Sequence, residues 1–352
     1  MAIDWPMSYY KPHPTLVLED HTPKRSRFPV VDIHNHLGYP EQITTQGILT
    51  GGDWTVKNVS TIVDLMDQLN IRCIVNLDGG WGNQLCRNLE HYKEPYPDRF
   101  CIFAWVDWSQ VKEHGFGEKW ARELEKSVAL GAQGLKVFKT LGLGYRDRNG
   151  NLISVDDPRL DPVWAKAGEL KIPVLIHSSD PVAFFLPLDQ LNERWDELKE
   201  HPEWHYFGKG FPQFIEPIEA QLRVVARHQQ TTFISAHVLS YAENLSYVAA
   251  ALDRFPNLYV DIGERVGELG RQPYSARRFL INYADRVLFG TDIPPQRSIY
   301  EIYFRFLETD DEYFDYGRNQ GRYRIYGVFL PDNVLSQIYY QNAHKLLLGL
   351  KG

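Results

Sequence analysis

Eight short apolar segments alternate with amphipathic segments along most of this chain. The segments between them repeat apolar residues every three or four positions, which predicts helices over ranges such as 59–70, 117–131 and 241–255. Several of the apolar segments are almost continuously hydrophobic, as is typical of strands that are covered on both faces. The eight predicted strands are PVVDIH (29–34), IRCIVNL (71–77), FCIFAWV (100–106), GLKVFK (134–139), PVLIH (173–177), TTFISAH (231–237), NLYVDIG (257–263) and RVLFGTD (286–292).

The alternation of strands with helices predicts a parallel sheet. Eight strands are what a closed (β/α)8 TIM barrel requires, so we predict an α/β fold with one such barrel over residues 29–352. Residues 1–28 are then an N-terminal extension. An open, doubly wound sheet is the alternative, but its first turn is usually rich in glycine. Here the first strand ends in HNHLGYP rather than in GxGxxG.

Three segments are longer than ordinary loops: 140–157, 178–216 and 309–330. The first two follow the fourth and fifth strands. In a barrel they would stand over the C-terminal mouth, where substrates bind. The third segment is acidic and rich in tyrosine. No repeat, low-complexity segment or linker divides the chain, so we predict a single domain with insertions.

The composition excludes several classes of protein. The chain has 352 residues, of which 43% are hydrophobic and 24% charged, which rules out disorder, collagen and coiled coil. A net charge of −7 is poorly suited to binding nucleic acid or an anionic membrane. Three cysteines without CxxC spacing argue against a disulfide framework. Neither a signal-peptide pattern nor a long apolar span occurs, so we expect a cytoplasmic protein without nucleic-acid or membrane partners.

Residues of the kind that bind metals stand at the ends of four predicted strands. His34 and His36 close the first strand, and because side chains alternate along a strand they point the same way. His177 closes the fifth strand, His237 the sixth and Asp292 the eighth. Strand ends meet at the mouth of a barrel, so we predict that these side chains converge. Imidazoles together with a carboxylate suit Zn²⁺ or another divalent transition metal.

The motifs DIHNH, IPVLIH, FISAH and FGTD, in this order, resemble those of the amidohydrolase superfamily. The similarity is greatest to its amidohydrolase-related (amidohydrolase 2) branch, whose final helix resembles IYYQNAHKLL (338–347). The resemblance covers roughly residues 29–349 and implies a metal-dependent enzyme with the TIM-barrel fold. It also implies that the cofactor is one divalent metal ion, first of all Zn²⁺, with Mn²⁺ or another transition metal as the alternative.

The resemblance further implies a role for each residue of the site. His34, His36, His177 and Asp292 would bind the metal, Asp292 would also shuttle protons, and His237 would contact the metal-bound water or the substrate. General chemistry agrees with these roles, because a metal ion with an open coordination position activates water and polarises a carbonyl group. A neighbouring carboxylate can take the proton and return it to the leaving group. A neutral His237 could donate a hydrogen bond to the developing oxyanion.

The fourth predicted strand contains two lysines, Lys136 and Lys139. They are three positions apart and therefore face opposite sides of a regular strand, so only one can point inward. Other branches of the superfamily have here a lysine that becomes carboxylated and bridges two metals. Three interpretations stay open: such a bridge, a lysine that binds a substrate anion, and a structural or solvated lysine. We expect one metal, with two as the alternative.

Two arginines are candidate substrate-binding residues. Arg265, next to Glu264, follows the seventh strand, and Arg297 follows the eighth. A guanidinium at a barrel mouth suits a carboxylate or another anion, although a surface ion pair is the alternative for each. Asp78 follows the second strand, and we interpret it as a helix cap.

The sequence leads to a functional hypothesis with one main alternative. We predict a hydrolase that uses a metal-activated water on a small carbonyl substrate: a lactone, an ester or an amide. The alternative is a lyase, namely a non-oxidative decarboxylase or hydratase of an unsaturated or aromatic carboxylate. A non-catalytic barrel would be expected to have lost ligands, yet all five positions are filled. The partner is therefore a small molecule, with a carboxylate as one candidate, and a homo-oligomer is implied by the resemblance alone.

Overall fold

The computed structural model describes residue 9 and residues 13–38, 42–44, 47–49 and 54–348. Eight parallel strands succeed one another in chain order around one sheet. This arrangement confirms the predicted TIM barrel and places every predicted strand. The barrel strands are β1 (Val30–Asn35), β2 (Ile71–Asn76), β3 (Phe100–Ala104), β4 (Gly134–Val137), β5 (Val174–Ile176), β6 (Phe233–Ser235), β7 (Leu258–Asp261) and β8 (Val287–Leu288).

A helix follows each barrel strand. These helices are α1 (Val59–Leu69), α2 (Gly82–Asn88), α3 (Phe116–Leu130), α4 (Asp161–Glu169), α5 (Ile215–Arg227), α6 (Leu245–Arg254), α7 (Pro273–Asn282) and α8 (Arg297–Glu308). The C-terminal segment contains Asp332–Ser336, Gln337–Gln341 and His344–Leu348. Shorter helical segments are Leu89–Lys93, Trp108–Gln110, Thr140–Leu143, Pro158–Leu160, Val182–Phe185, Trp195–Leu198, Pro202–Trp204, Ala236–Leu239 and Val266–Gly270. Outside the barrel, Gln42–Thr44 pairs with Gly47–Leu49 in an antiparallel hairpin. No helix in the part of the chain that the structure describes combines the length and apolar character that a membrane crossing requires.

The first helix shows how local sequence sets the boundaries of an element. The side chain of Asn58 accepts a hydrogen bond from the backbone N–H of Ser60 and so caps the start of α1. Asn70 ends the helix in the left-handed conformation, with φ 66°, which asparagine adopts more readily than most residues. Strand β2 can therefore begin at once, at Ile71.

The inside of the barrel is packed with apolar side chains at its N-terminal end. Asn342 of the C-terminal segment donates hydrogen bonds to the carbonyls of Ala284 and Val287, just before and at the start of β8. Ala343 and Leu347 pack against the interior cluster. Because this end is closed, open space for a ligand is left at the C-terminal ends of the strands. The interior cluster includes Val31, Ile33, Cys73, Val75, Leu77, Cys101, Phe103, Leu175, Ile234 and Leu288.

Hydrogen bonds close the seam between β1 and β8. The backbone N–H of Ile33 donates to the carbonyl of Phe289 at 2.9 Å. Beside it, the buried carboxylate of Asp32 accepts bonds from the backbone and the hydroxyl of Thr291 and from the hydroxyl of Tyr300. Since buried polar groups are costly unless they are hydrogen-bonded, this network fixes β1 against β8. It therefore also fixes the two strand ends that carry His34 and Asp292.

We expect Tyr300→Phe to lower the free energy of unfolding by about 1–3 kcal/mol, because a buried acceptor on Asp32 loses one donor. Urea denaturation followed by circular dichroism measures this change. Tyr274→Phe is the matched control, because Tyr274 is 81% exposed, and we expect a change within about 0.5 kcal/mol. Equal values for the two variants would contradict a stabilising role for the seam.

Candidate active site

Four side chains from three strand ends meet at the mouth of the barrel. The Oδ1 atom of Asp292 lies 3.2 Å from Nε2 of His34 and 3.0 Å from Nε2 of His36. Its Oδ2 atom lies 3.5 Å from Nε2 of His237, and the rings of His34 and His237 have centroids 4.9 Å apart. Because the barrel strands are parallel, residues separated by more than 250 positions share one small volume.

Carboxylates fix the orientation of both histidines at the end of β1. Nδ1 of His34 lies 2.9 Å from Asp261, and Nδ1 of His36 lies 2.7 Å from Asp78. A carboxylate accepts hydrogen bonds, so each Nδ1 atom carries a hydrogen, and each Nε2 atom is the one that can bind a metal once it has no proton. Carboxylate partners of this kind orient histidines that bind metals.

Both supporting carboxylates have roles that the sequence analysis does not assign to them. We interpreted Asp78 as a helix cap, but its carboxylate binds His36 and accepts a bond from the backbone N–H of Gly38 at 3.0 Å. Asp261 was missed. Its position in the sequence could have indicated a role, because Asp261 lies at the end of the seventh predicted strand. The residues predicted to bind the metal lie at the ends of other strands in the same way.

The hydrogen bond of His237 assigns its tautomer. Its Nδ1 atom lies 2.7 Å from the carbonyl oxygen of Gly263, which can only accept, so Nδ1 carries the hydrogen. Burial lowers the pKa of His237 well below its usual value, which keeps the ring neutral. Its Nε2 atom therefore presents a lone pair towards Asp292. This contradicts our expectation that neutral His237 donates a hydrogen bond to an oxyanion, because its only N–H is already used.

The backbone around the site is held in a rarely adopted conformation. The four residues from His237 to Ser240 have φ values of 61°, 56°, 59° and 52°, and Asp292 has φ 60°. Left-handed residues other than glycine cost about 1–2 kcal/mol each. The carboxylate of Asp261 accepts a bond from the backbone N–H of His237, and the carbonyl of His34 accepts one from that of Asp292. Strain that is held in this way is typical of functional sites.

The donor set fits a divalent metal ion. Ligand atoms of His34, His36 and Asp292 lie within 4.8 Å of one another, as do those of His34, His237 and Asp261. A metal ion bound between Asp292 and the Nε2 atoms of His34 and His36 would take the place of the protons that otherwise lie there. Burial disfavours the charged form of His36, yet Asp78 and Asp292 outweigh burial and raise its pKa to about 9. The same negative surroundings would attract a metal cation.

His177 lies beside this cluster, although its ligand atoms belong to neither group of three. Its ring packs edge-on against that of His237, with centroids 4.3 Å apart. Its Nε2 atom lies 3.1 Å from Oδ1 of Asp180. Burial lowers the pKa of His177 to about 4, so the ring is neutral, as a metal ligand must be.

The two lysines of the fourth strand segment have different surroundings. Lys136 is fully buried, and its Nζ atom lies 3.1 Å from Nε2 of His34. Burial lowers its pKa to about 8. The Nζ atom of Lys139 instead lies 2.5 Å from Oδ2 of Asp180, next to the rings of Trp204 and Tyr206. Lys136 is therefore the lysine beside the candidate metal ligands, whereas Lys139 is a paired residue of the pocket wall.

A pocket of about 270 Å³ opens above these residues. Segment 178–216 contributes an aromatic wall, in which the rings of Phe184 and Trp204 are nearly parallel with centroids 6.5 Å apart. Segment 309–330 contributes Arg318 and Gln320. The other lining residues are Lys139, His177, Asp180, Pro181, Arg194, Glu197, His237, Glu264, Arg265 and Asp292.

One cation of the pocket stands out by its lack of a carboxylate partner. Arg265 is only 4% exposed and donates from Nη1 to the carbonyl of Glu264 at 2.8 Å. Its buried Nε atom has no partner among the described residues, and no carboxylate of these residues lies within 4.0 Å of its guanidinium. The other three basic residues are paired: Lys139 with Asp180, Arg194 with Glu197 and Glu268, and Arg318 with Glu264.

The structure does not bring Arg297 to the pocket. Arg297 is the first residue of α8 and does not line the pocket. Its guanidinium binds the side chain of Gln68 on α1 and lies 3.7 Å from Glu301. With 42% of its side chain exposed, Arg297 matches the surface interpretation rather than the substrate-binding one.

Comparisons with known proteins agree with this architecture. The family model Amidohydro_2, described as Amidohydrolase, matches residues 87–348, which is more than half of the chain. No curated protein matches. Among similar solved structures, 2,6-dihydroxybenzoate decarboxylase from Rhizobium has a TM-score of 0.58 at 18% identity, covering 92% of this chain and 100% of that chain.

Two further solved structures have the same fold. A dihydroxybenzoic acid decarboxylase from Polaromonas sp. JS666, with bound manganese and the inhibitor 2-nitroresorcinol, has a TM-score of 0.60 at 15% identity, covering 92% of this chain and 98% of that chain. The 5-carboxyvanillate decarboxylase from Sphingomonas paucimobilis has a TM-score of 0.53 at 12% identity, covering 91% of this chain and 99% of that chain. At such low identity the likeness shows the fold alone.

Proposed function

This chain belongs to the amidohydrolase family, and on that premise we propose that it is a metal-dependent hydrolase of a small lactone, ester or amide that carries an anionic group. The observation that carries the proposal is the convergence of His34, His36 and Asp292, with both Nδ1 atoms of the histidines held by carboxylates. Such a set supplies lone pairs to one point at the base of a pocket.

The proposed ligands are His34, His36, His177 and Asp292, and they would hold one ion. Zn²⁺ is our first expectation, although histidine and carboxylate ligands also accept Mn²⁺ and other transition metals. When bound, the ion would polarise the substrate carbonyl and lower the pKa of water. Lys136 is the lysine placed to become a carboxylated bridge if a second ion binds.

Asp292 is the proposed proton carrier. Its Oδ1 atom faces His34 and His36, while its Oδ2 atom faces His237 and the pocket. The carboxylate can take a proton from the attacking water and give it to the leaving oxygen or nitrogen. The lone pair on Nε2 of His237 can accept a hydrogen bond from the water or from a substrate hydroxyl and so orient it.

Arg265 is the proposed anchor for the substrate. A buried guanidinium without a carboxylate partner is costly, and an anionic group of a ligand offsets that cost. Because Arg265 lines the same pocket as His237 and Asp292, a small molecule can bind it while its carbonyl lies at the metal ligands. The substrate class is therefore a carboxylate, or another small anion, that also carries a hydrolysable carbonyl group.

The aromatic wall favours decarboxylation as a second candidate. Phe184 and Trp204 can pack against a flat, unsaturated ring while Arg265 binds a second anionic or polar substituent of that ring. In that reaction the carboxylate itself would lie at the metal ligands. Asp292 or His237 would then manage the proton at carbon.

An assay of products separates the two reactions. The full chain, loaded with Zn²⁺ or Mn²⁺, is incubated with lactones, esters and amides that bear a carboxylate, and with aromatic and unsaturated carboxylates. Release of acid from the first group is the expected result. Release of CO₂ from the second group would establish the alternative, and no turnover with either metal would contradict both.

We expect Arg265→Met to lower kcat/KM by about 30-fold or more, because removing one partner of a buried, charged hydrogen bond costs about 2–5 kcal/mol. Steady-state kinetics on the substrate found in the product assay measures this loss. Arg297→Met removes the same group outside the pocket, so it is the matched control, and we expect it to stay within about twofold of wild type. Equal losses in the two variants would contradict the anchor role.

A further inference from the structure

Glu264 has an unusual backbone conformation at the edge of the pocket. Its φ of 49° is in the left-handed region that residues with a side chain rarely adopt. The backbone N–H of Glu264 donates to the hydroxyl of Tyr303 at 2.8 Å, and that hydroxyl donates to the carbonyl of Thr291 at 3.2 Å. Because Thr291 directly precedes Asp292, these bonds fix Glu264 relative to the proposed proton carrier.

The carboxylate of Glu264 is held by one oxygen only. Its Oε2 atom accepts a bond from Arg318 at 2.9 Å and one from Gln320 at 2.7 Å. Both donors come from segment 309–330, to which the proposed reaction gives no other role. The Oε1 atom has no hydrogen-bond partner among the described residues, and 14% of the side chain is exposed at the pocket. One acceptor oxygen is therefore left for a ligand.

Burial raises the pKa of Glu264 to about 7, so its carboxylate is ionised above that pH. An ionised carboxylate oxygen can only accept hydrogen bonds, so its natural partner is then a hydroxyl or amino group. The adjacent Arg265 can only donate, so it takes the anion. A small molecule that binds both residues therefore needs a hydrogen-bond donor for Glu264 and an anionic group for Arg265. A pocket of about 270 Å³ limits that molecule to a compact one.

We propose that Glu264 is a specificity residue that accepts a hydrogen bond from a hydroxyl or amino group of the substrate, which is therefore a derivative of a small hydroxy- or aminocarboxylate. Arg318 and Gln320 are positioning residues, because by binding Oε2 they leave Oε1 as the oxygen that faces the ligand. This inference rests on the proposed function, since it uses the same pocket and the anchor at Arg265.

Matched carboxylate probes test the inference on the metal-loaded full chain at a pH well above 7, where Glu264 is ionised. The 2-, 3- and 4-hydroxybenzoates are compared with the corresponding methoxybenzoates by isothermal titration calorimetry, because a methoxy group cannot donate. For at least one ring position we expect the hydroxy compound to bind about tenfold tighter or more. In Glu264→Gln the amide oxygen would accept from Arg318 and Gln320 and turn the NH₂ group to the pocket, so the preference should disappear or reverse.

Two controls keep the result specific. Glu312→Gln makes the same change at an exposed glutamate of the same segment and should leave the ratio of affinities unchanged. The double variant Arg318→Met/Gln320→Leu keeps the carboxylate but releases Oε2, and it should weaken the preference. If Glu264→Gln does not fold, as judged by thermal melting, this double variant makes the decisive comparison.

The outcomes distinguish this inference from the proposed function. If no benzoate binds, or if Arg265→Met does not weaken binding, the anion anchor fails and the inference fails with it. If Arg265→Met weakens binding but hydroxy and methoxy compounds bind equally well, the inference alone is overturned. An unchanged ratio in Glu264→Gln also overturns it.

Discussion

We expect the His34→Ala/His36→Ala variant to lose its bound metal almost completely, from about one Zn²⁺ or Mn²⁺ per chain in the wild type. Two of the four proposed ligands disappear, and with them the pair that Asp261 and Asp78 hold in place. Turnover should fall to background, because the remaining residues cannot replace the Lewis acid. Metal content is measured by mass spectrometry on protein purified without chelators or a histidine tag.

The matched control is His13→Ala/His114→Ala, which removes two exposed histidines and should leave metal content unchanged. Nearly two ions per wild-type chain would support a carboxylated Lys136 as a bridge. Failure of the wild type to take up any ion on reconstitution would contradict the metal-dependent function. Retention of a full ion by the His34→Ala/His36→Ala variant would contradict the ligand assignment.

The fold and the centre of the site follow from two simple regularities of the sequence. Alternation along a strand places His34 and His36 on one side, and parallel strands place the ends of β1, β6 and β8 at one edge. Both rules depend only on the order of the strands along the chain and on the two-residue periodicity of a strand, and both can be read from the sequence. The predicted barrel and the resemblance to the amidohydrolase family were therefore confirmed.

Contacts between distant residues were harder to predict. The role of Asp78 depends on where His36 points, and a carboxylate after a strand is equally suited to capping a helix. The tautomer of His237 depends on the carbonyl of Gly263, which lies 26 positions away. Neither contact leaves a periodic signal in the sequence.

The two arginines illustrate the same limit. Arg265 and Arg297 occupy similar positions after neighbouring strands, so both have the same candidate role in the sequence analysis. Their difference arises from the connecting segments, because Arg265 turns into the pocket whereas Arg297 begins α8 and packs towards α1. Segment 309–330 contacts Glu264 only through the folded chain, so its contribution to the pocket was not predicted.

We expect Asp292→Asn to lower kcat by about 10²–10⁴-fold, the usual contribution of general acid–base catalysis. The amide keeps the size of the side chain but cannot take up a proton. Asparagine also tolerates the left-handed backbone at this position, where φ is 60°, so the loop should keep its conformation. Steady-state kinetics on the substrate found in the product assay, together with metal analysis, measures the effect.

Metal content decides how that loss is interpreted, because Asp292 is both a proposed ligand and the proposed proton carrier. A variant that retains metal but has lost turnover separates the proton-transfer role from the ligand role, since three histidines still hold the ion. Asp310→Asn makes the same change at an exposed position of the chain and should retain wild-type kcat. If Asp292→Asn keeps both its metal and its kcat, the proton must be carried by another group, and His237, whose Nε2 lone pair lies 3.5 Å from Asp292, is the residue placed to do so.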